Sequence, residues 1–530
     1  MAERIPLLGR FLKRKKVRVS ARVYRGIDSS RRQAGLIYYL FRALFRAISK
    51  TQHAEIQYIG LENIPPDGSV LLVGNHPNSM LDYFNLATVI RHPVATAAKD
   101  TITAIPLLGY LLKNHVFMIP ISRKMDHSED LPEEARRDLN EKSMKESVDH
   151  LVTGRLFNMY AEGKSTDSRK LNKIKLGFMY LAIQAERQFN FNLNLRIVPY
   201  GYFYDRINQF QSSVCIVFGK PFKLKHLLKI PDDFLSLSVE DRNDLEKKIM
   251  TEGKARLQKD IEELIISIPE KSIVDIIDDA ASLYVLTPVK YMGQFGNVRE
   301  KYRLSKSVAD SFMEAQKTGS GRARLERLRQ AMADYRRQLS ASKIPDALIR
   351  REHTLASTGH HIKSLFLGIL FYPLTFFGFI TNFIPRQAGR FLRYLTIDVR
   401  KRPRVDGDEQ AIVAAFVAAI LTYPVIAFFI FLFFQRTGLP ELAGWITVPW
   451  FRTFVAVHGS LLSATIGAFS MYLMARLWRF SLYYGQMLRD ALYWMRDFFS
   501  EVFRRRKLKE LRALRYEIMD MIDFIIGDFS

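Results

Sequence analysis

One cysteine in 530 residues leaves no intrachain disulfide and no thiolate zinc cluster for this chain to use. That residue, Cys215, stands in an apolar segment and reads as a core filler. A Gly-x-Ser-x-Gly elbow is also missing, which removes the usual serine-hydrolase route. The segment 158–165 ends in Gly163-Lys164-Ser165 like a nucleotide-binding loop. Asn158, however, occupies the place where that phosphate nest needs its leading glycine. His360 and His361 have no metal-ligand spacing around them, so no metal is expected. Residues 1–33 carry Lys13-Arg14-Lys15-Lys16 with no long apolar run behind them, which is a basic leader and not a secretory signal.

Positive charge and, in the C-terminal half, apolar length are what the chain does have. Lys and Arg number 79 against 54 Asp and Glu, a net charge of +25. Such an excess suits nucleic acid or an anionic membrane surface. No nucleic-acid motif accompanies it and the basic clusters flank apolar segments, so membrane lipids are the expected partner and nucleic acid is not. Residues 34–50 place Leu36, Ile37, Tyr39, Leu40, Phe41, Leu44, Phe45 and Ile48 around Arg42 and Arg46, a composition for an interfacial helix. Over 51–230 short apolar strands alternate with helical stretches, the pattern of an α/β layer domain. Residues 231–355 turn helical and charged, with Leu245, Ile249, Leu257, Ile261 and Ile265 at helical spacing and a turn expected at Gly319-Ser320-Gly321. A membrane region, 356–480, and basic amphipathic helices, 481–530, complete the chain.

The densest chemistry lies at Gly74-Asn75-His76-Pro77-Asn78-Ser79-Met80-Leu81-Asp82. The run 70–73 predicts a buried strand ending at Gly74. Pro77 drives His76 into extended backbone, and Asn78 or Ser79 can cap a helix with Asp82 in its first turn. His76 and Asp82 can then meet, the carboxylate orienting the imidazole as a general base requires. The plainer alternative is a loop histidine beside an aspartate that favours the helix dipole.

Asn75-His76 followed by Asp82 resembles the first motif of the glycerol-3-phosphate/lysophosphatidate (1-acylglycerol-3-phosphate) acyltransferase family. Five residues separate the pair where the family usually has four, a longer spacing shared by some larger members with a His-Pro-Asn turn. Phe117-Met118-Ile119-Pro120-Ile121-Ser122-Arg123 is similar to the second motif. Tyr160-Ala161-Glu162-Gly163-Lys164-Ser165 is similar to the third, with Ala161 in place of the usual proline. Ile197-Val198-Pro199-Tyr200-Gly201 is similar to the fourth, a strand ending at a proline.

The resemblance implies an α/β acyltransferase domain, a mixed sheet flanked by helices, followed by a helical module and C-terminal membrane helices. It implies His76 and Asp82 as the catalytic pair. Around an acceptor phosphate it places Arg123, Lys99, Glu162, Gly163, Lys164, Ser165 and Lys175, with Arg169 and Lys173 nearby, and it makes Pro199 a lining of the acyl site. The implied reaction carries a fatty acyl group from acyl-CoA or acyl-carrier protein to a glycerol-phosphate hydroxyl, with no cofactor. With no candidate nucleophile in sight, transfer is expected to be direct. A lysophospholipid-remodelling enzyme and a non-catalytic lipid-binding scaffold are the alternatives, and the intact His76 and Asp82 weigh against the scaffold.

Three uncharged stretches, 364–385, 410–434 and 453–475, are each long enough to cross about 30 Å of hydrocarbon at about 1.5 Å per residue. The loop expected between the first two carries Arg386, Arg390, Arg393, Arg400, Lys401, Arg402 and Arg404, which belong on the cytoplasmic side, as do Arg504-Arg505-Arg506-Lys507. Three full crossings cannot satisfy both clusters and a cytoplasmic catalytic domain. Segment 364–385 is therefore expected to be re-entrant, broken near Pro373, with 410–434 and 453–475 spanning. In sealed right-side-out vesicles of a Cys215→Ser protein, single cysteines at Lys363 and Gln387 should resist an impermeant maleimide, and one at Leu439 should react. Labelling at Gln387 with protection at Lys363 would sink the two-span topology.

Overall fold

The computed structural model describes residues 34–529 except 105, 123–132, 166–170, 206, 208–211, 232–233, 269–270, 286–297, 343, 345, 347–348, 350–354, 400–403 and 439–448. The leader 1–33, Arg123 and Arg169 lie outside the described residues. Strands β1 (His53–Ile59), β2 (Val70–Gly74), β3 (Val94–Lys99), β4 (Met118–Ile121), β5 (Leu156–Tyr160), β6 (Arg196–Tyr204) and β7 (Ser212–Phe218) form one sheet. Their order is β1-β7-β6-β2-β5-β3-β4. The pairings from β6 through β4 are parallel, β6 and β7 are antiparallel, and β1 runs parallel to β7. This is the mixed sheet flanked by helices that the resemblance implied.

A central parallel strand is covered on both faces and so must be apolar at every position. β2 obeys this, with Val70, Leu71, Leu72 and Val73 each at 0 % exposure. Leu71 and Val73 pack with Phe157, Ile197 and the helices α4 (Glu133–Val152), α5 (Gly177–Arg187) and α6 (Val239–Leu264). Val70 and Leu72 face the other way, onto Leu86 and Ile90 around the end of α2 (Met80–Val89). Each fully buried side chain of this size contributes roughly 1.5–3 kcal/mol, so the strand leading to His76 is firmly seated.

Helix α1 (Leu36–Gln52) buries Tyr38, Phe45 and Ser49 and leaves Leu36, Tyr39 and Leu40 exposed. Phe45 stacks on Phe84 at 4.3 Å. Arg42 does not interrupt the exposed apolar side. Its guanidinium donates to the carbonyls of Ala87, Ile90 and Arg91 at the C-terminal end of α2. A cation at that end satisfies orphan carbonyls and complements the helix dipole.

Pro199 does not end its strand as the sequence suggested. β6 continues to Tyr204. The Pro199 carbonyl accepts from Gly219 N at 2.8 Å, just beyond the point where the β6–β7 ladder begins at Tyr200 and Phe218. A residue's N–H and C=O point to the same side of a strand, so the donor that proline lacks faces a place with no ladder to feed.

The helical segment after the sheet is not insulated from it. Ile249, Leu257 and Ile261 of α6 sit in the same core as β2 and β5. Helices α7 (Lys271–Val285), α8 (Val298–Lys317) and α9 (Gly319–Ser342) follow, and the turn between the last two falls at Thr318, whose hydroxyl accepts from Gly321 N at 3.0 Å.

The described residues divide into two compact units. One lies within Met1–Thr287, Phe295–Asp334 and Tyr516–Ser530, and the other within Pro288–Gln294 and Tyr335–Arg515. In the second, α10 (Leu355–Leu370) and α11 (Tyr372–Thr381) are bent by 56° at Phe371, with Pro373 in the first turn of α11. The basic segment after them, read from sequence as a loop, is the helix α12 (Phe383–Tyr394). It exposes Arg386, Arg390 and Arg393 together with Phe383, Ile384 and Phe391. Arg386, Arg390 and Arg393 are spaced four and three apart and so share one helix face, where like charges repel; the segment is helical in spite of that repulsion. Within α13 (Arg404–Phe433) and its continuation, Val417–Arg436 is long and apolar enough to cross a membrane; segment 453–475 lies within α14 (Pro449–Phe529).

At the start of β1, His53 is 2 % exposed and its Nδ1 is 3.2 Å from Ser212 Oγ. Burial pushes its imidazole down to about 4. The unfolded chain, with an ordinary value of about 6.5, takes up a proton that the folded chain refuses. Stability from this group is therefore complete above about pH 6.5 and is lost as pH falls toward about 4, a change of order 3 kcal/mol. Thermal unfolding of the full chain in micelles should show a steeper acid loss for wild type than for His53→Gln. Equal slopes would contradict the buried neutral imidazole.

Candidate active site at the carboxyl edge of the sheet

Because β6, β2, β5, β3 and β4 are parallel, their C-terminal ends form one edge, with Tyr204, Gly74, Tyr160, Lys99 and Ile121 in that order. In open α/β sheets such an edge is where ligands bind. The loops leaving it carry the motif residues.

His76 and Asp82 meet. Nδ1 of His76 lies 2.9 Å from Oδ2 of Asp82, whose side chain is fully buried. The carboxylate collects two further donors. Asn78 N donates to Oδ2 at 2.8 Å and the Tyr204 hydroxyl to Oδ1 at 2.6 Å. Tyr202 donates its hydroxyl to the Asp82 carbonyl at 2.5 Å. A buried carboxylate is costly without such partners, and here they come from the loop and from β6. The expected side-chain cap by Asn78 or Ser79 is absent. Ser79 is the N-cap with φ 48° and makes no cap bond, and Asp82 reaches back to the Asn78 amide instead. That positive φ costs roughly 1–3 kcal/mol and is retained at the turn that brings His76 to Asp82.

With its Nδ1 proton directed at Asp82, His76 presents Nε2 outward, and its side chain is 17 % exposed. The other side of the ring lies on Tyr160, 3.7 Å between centroids and 9° from parallel. An aromatic face under an imidazole fixes the ring plane and favours the cation formed when the base takes a proton. Burial raises the hydroxyls of Tyr160, Tyr200, Tyr202 and Tyr204 well above their usual range, so these groups stay neutral.

Glu162 is buried, and the chain itself occupies both of its oxygens. Oε1 accepts from His76 N at 3.0 Å, and Oε2 accepts from Asn172 N at 3.0 Å and from the Asn172 side chain. Glu162 thus ties the histidine loop to the loop after β5. Gly163 follows at φ +68°, a left-handed conformation that excludes most side chains, with the Lys175 stem 3.4 Å from where a Cβ would stand. Lys175 N donates to Ala161 O at 2.8 Å. Lys164, Lys173 and Lys175 are exposed and Ser165 and Lys99 are half-buried. Lys99 ends β3, two strands from β2, or roughly 10 Å along the edge.

The strand leading to Arg123 is firmly anchored. Asn140 accepts from Ser122 N at 3.0 Å and donates to Ser122 O at 3.0 Å, closing both backbone groups of the last residue before the arginine. Pro199 stands apart: it is one register position inside Gly74 and, by strand alternation, faces away from Tyr200, Tyr202 and His76. The sequence reading missed Tyr202, Tyr204 and Asn78 as site residues, although tyrosines at 200, 202 and 204 share one face of a strand and carried the signal. Among the described residues no cluster of His, Cys, Asp and Glu could hold a metal ion.

Residues 55–202, which contain all of this geometry except Tyr204, match the family model described as Acyltransferase. This segment is an acyltransferase-family domain. A crystal structure of the 1-acyl-sn-glycerophosphate (LPA) acyltransferase PlsC from Thermotoga maritima is similar at 15% identity, over 42% of this chain and 81% of that one, with a TM-score of 0.27. A search of curated proteins finds no match.

The acyltransferase domain offers a direct check on Glu162. Glu162→Gln replaces an acceptor with an amide donor facing donors, at a cost of roughly 1–3 kcal/mol. Hydrogen exchange should quicken in the peptides covering 75–79 and 171–176. Unchanged exchange would mean that the carboxylate does not hold these loops.

Proposed function

We propose that the acyltransferase domain moves a fatty acyl group from the thioester of acyl-CoA or acyl-carrier protein to a hydroxyl of glycerol-3-phosphate or 1-acylglycerol-3-phosphate, in phospholipid synthesis at a membrane. The observation that carries this reading is the contact between His76 and the buried Asp82, beside an edge lined with cations. His76 Nε2 takes the proton of the acceptor hydroxyl as its oxygen attacks the thioester carbonyl. The tetrahedral oxyanion collapses, the C–S bond breaks, and the imidazolium returns the proton to the departing sulfur. Asp82 keeps the imidazole in the productive tautomer and stabilises it while charged.

No acyl-enzyme is needed, and the single cysteine offers no site for one. Cys215 is buried in β7, where desolvation pushes its thiol up to about 12. The acceptor's phosphate is assigned to Arg123, which follows β4, with Lys99, Lys164 and Lys175 as further cations; guanidinium can grip a phosphate with two parallel bonds. The reaction requires no cofactor beyond the acyl donor. Support for membrane association comes from the exposed Leu36, Tyr39 and Leu40 of α1 and from the apolar Val417–Arg436. A soluble thioester donor places the domain on the cytoplasmic face. A lysophospholipid with a larger headgroup is the competing acceptor. A non-catalytic scaffold would have no use for a buried carboxylate bonded to an outward-facing imidazole.

Purified full-length protein in micelles, given several phosphorylated acceptors and both kinds of donor, tests the assignment. His76→Ala should lower transfer by about 10²–10⁴-fold with expression and membrane association unchanged. Activity within a few fold of wild type would end the role given to His76.

A further inference from the structure

The carboxylate of Asp82 is the end of a buried polar chain that reaches β1. Tyr204 donates to Oδ1 of Asp82 at 2.6 Å. Asn85, on the same helix as Asp82, donates from Nδ2 to the Tyr204 oxygen at 3.1 Å. The same Nδ2 lies 3.1 Å from Nε2 of His53, which therefore accepts, leaving its own proton on Nδ1 toward Ser212. Asp82, Asn85 and Tyr204 are at most 2 % exposed, and the Asn85 carbonyl oxygen is buried without a partner. An amide that leaves its acceptor unsatisfied is oriented by what its nitrogen must do.

We propose that Tyr204 is a positioning residue for the His76–Asp82 pair, locking the Asp82 carboxylate so that Oδ2 is held against His76, with Asn85 and His53 fixing the tyrosine in turn. The assignment rests on His76 and Asp82 being the base of the acyl transfer proposed above. Asp82 has two oxygens and could rotate about χ2; His76 and Asn78 N both engage Oδ2, and the bond from Tyr204 removes the remaining freedom by engaging Oδ1. Tyr204 itself is buried, and its hydroxyl proton is committed to Asp82. The groups facing this carboxylate from neighbouring elements are His76 from its loop, Tyr160 from β5, and Tyr200 and Tyr202 from β6, all neutral phenols apart from the histidine. Tyr204 remains a neutral donor because burial, and then the nearby Asp82, hold its proton on. His53 remains a neutral acceptor because burial lowers its imidazole to about 4.

A double-mutant cycle on the full chain tests this with two readouts. One is kcat and KM for acyl transfer. The other needs no substrate: the rate at which diethyl pyrocarbonate modifies His76 near neutral pH, followed by peptide mass spectrometry. Tyr204→Phe should lower kcat about tenfold with KM unchanged and should change the His76 modification rate. In an Asp82→Asn background the same substitution should alter either quantity by no more than about twofold, because the charge that Tyr204 holds is gone. Tyr302→Phe removes a buried hydroxyl bonded to Leu264 O at 2.8 Å, away from the site, and should leave both quantities unmoved. If His76 reacts at the wild-type rate in Tyr204→Phe, or if the effect has the same size in both backgrounds, Tyr204 is merely structural and the proposal fails. A coupled modification rate without transfer to any acceptor would uphold the positioning role and overturn the acyl-transfer reading instead.

Discussion

A carboxylate buried beyond the reach of water governs the organisation of this domain. Asp82 has no exposure, and the donors that compensate its desolvation come from two places: His76 and Asn78 of the loop just before its helix, and Tyr204 of β6. The loop after β2 must turn sharply enough to bring both His76 and the Asn78 amide onto one oxygen, and Ser79 adopts φ 48° to allow it. β6 must run four residues past Gly74's partner Tyr200 so that Tyr202 and Tyr204 reach the helix. Gly74 itself is open to no larger residue, since a Cβ there would stand 2.5 Å from the Tyr200 ring. The sheet order, with β2 between β5 and β6, is what puts Tyr160 on one side of the pair and the tyrosine row on the other.

Glu162 and Asn140 act on the same principle at longer range. Each closes backbone groups that would otherwise be loose at the end of a strand: His76 and Asn172 in one case, Ser122 in the other. A transfer reaction between two bound substrates depends on geometry held to fractions of an ångström, since effective concentration falls steeply with misplacement. The described residues of the loops at this edge are held by bonds of this kind. Among their described residues Lys164, Lys173 and Lys175 are exposed, suited to a partner that brings its own negative charge.

The second unit follows a different logic. Its described elements are helices, and among them Val417–Arg436 is long and apolar enough to cross a membrane. The bend at Phe371 falls one residue before a turn that contains Pro373, where the missing N–H would be an orphan in any case. α12 places arginines and large apolar side chains together on its exposed surface, the composition of a helix lying in an interface.

The sequence by itself determined the elements whose cause is local. An unbroken apolar run made β2 a central strand, Pro77 kept His76 out of the helix, and Asp82 in the first turn made the pair possible. The alternation of apolar strands and helical stretches was enough to expect an α/β layer domain, because strand, turn and helix signals act within a few residues; the acyltransferase expectation came from the resemblance of its motifs. Tertiary structure alone decided who completes the site. Tyr204 lies 122 residues from Asp82 and Glu162 lies 86 from His76, and those contacts exist only because β6 and β5 flank β2. The fate of Pro199 was likewise invisible beforehand, since a proline is tolerated in mid-strand only where the neighbouring ladder has already ended. Periodicity reports which face a residue takes; it carries no information on which strand will be next to it, and at this edge the neighbouring strand supplies the chemistry.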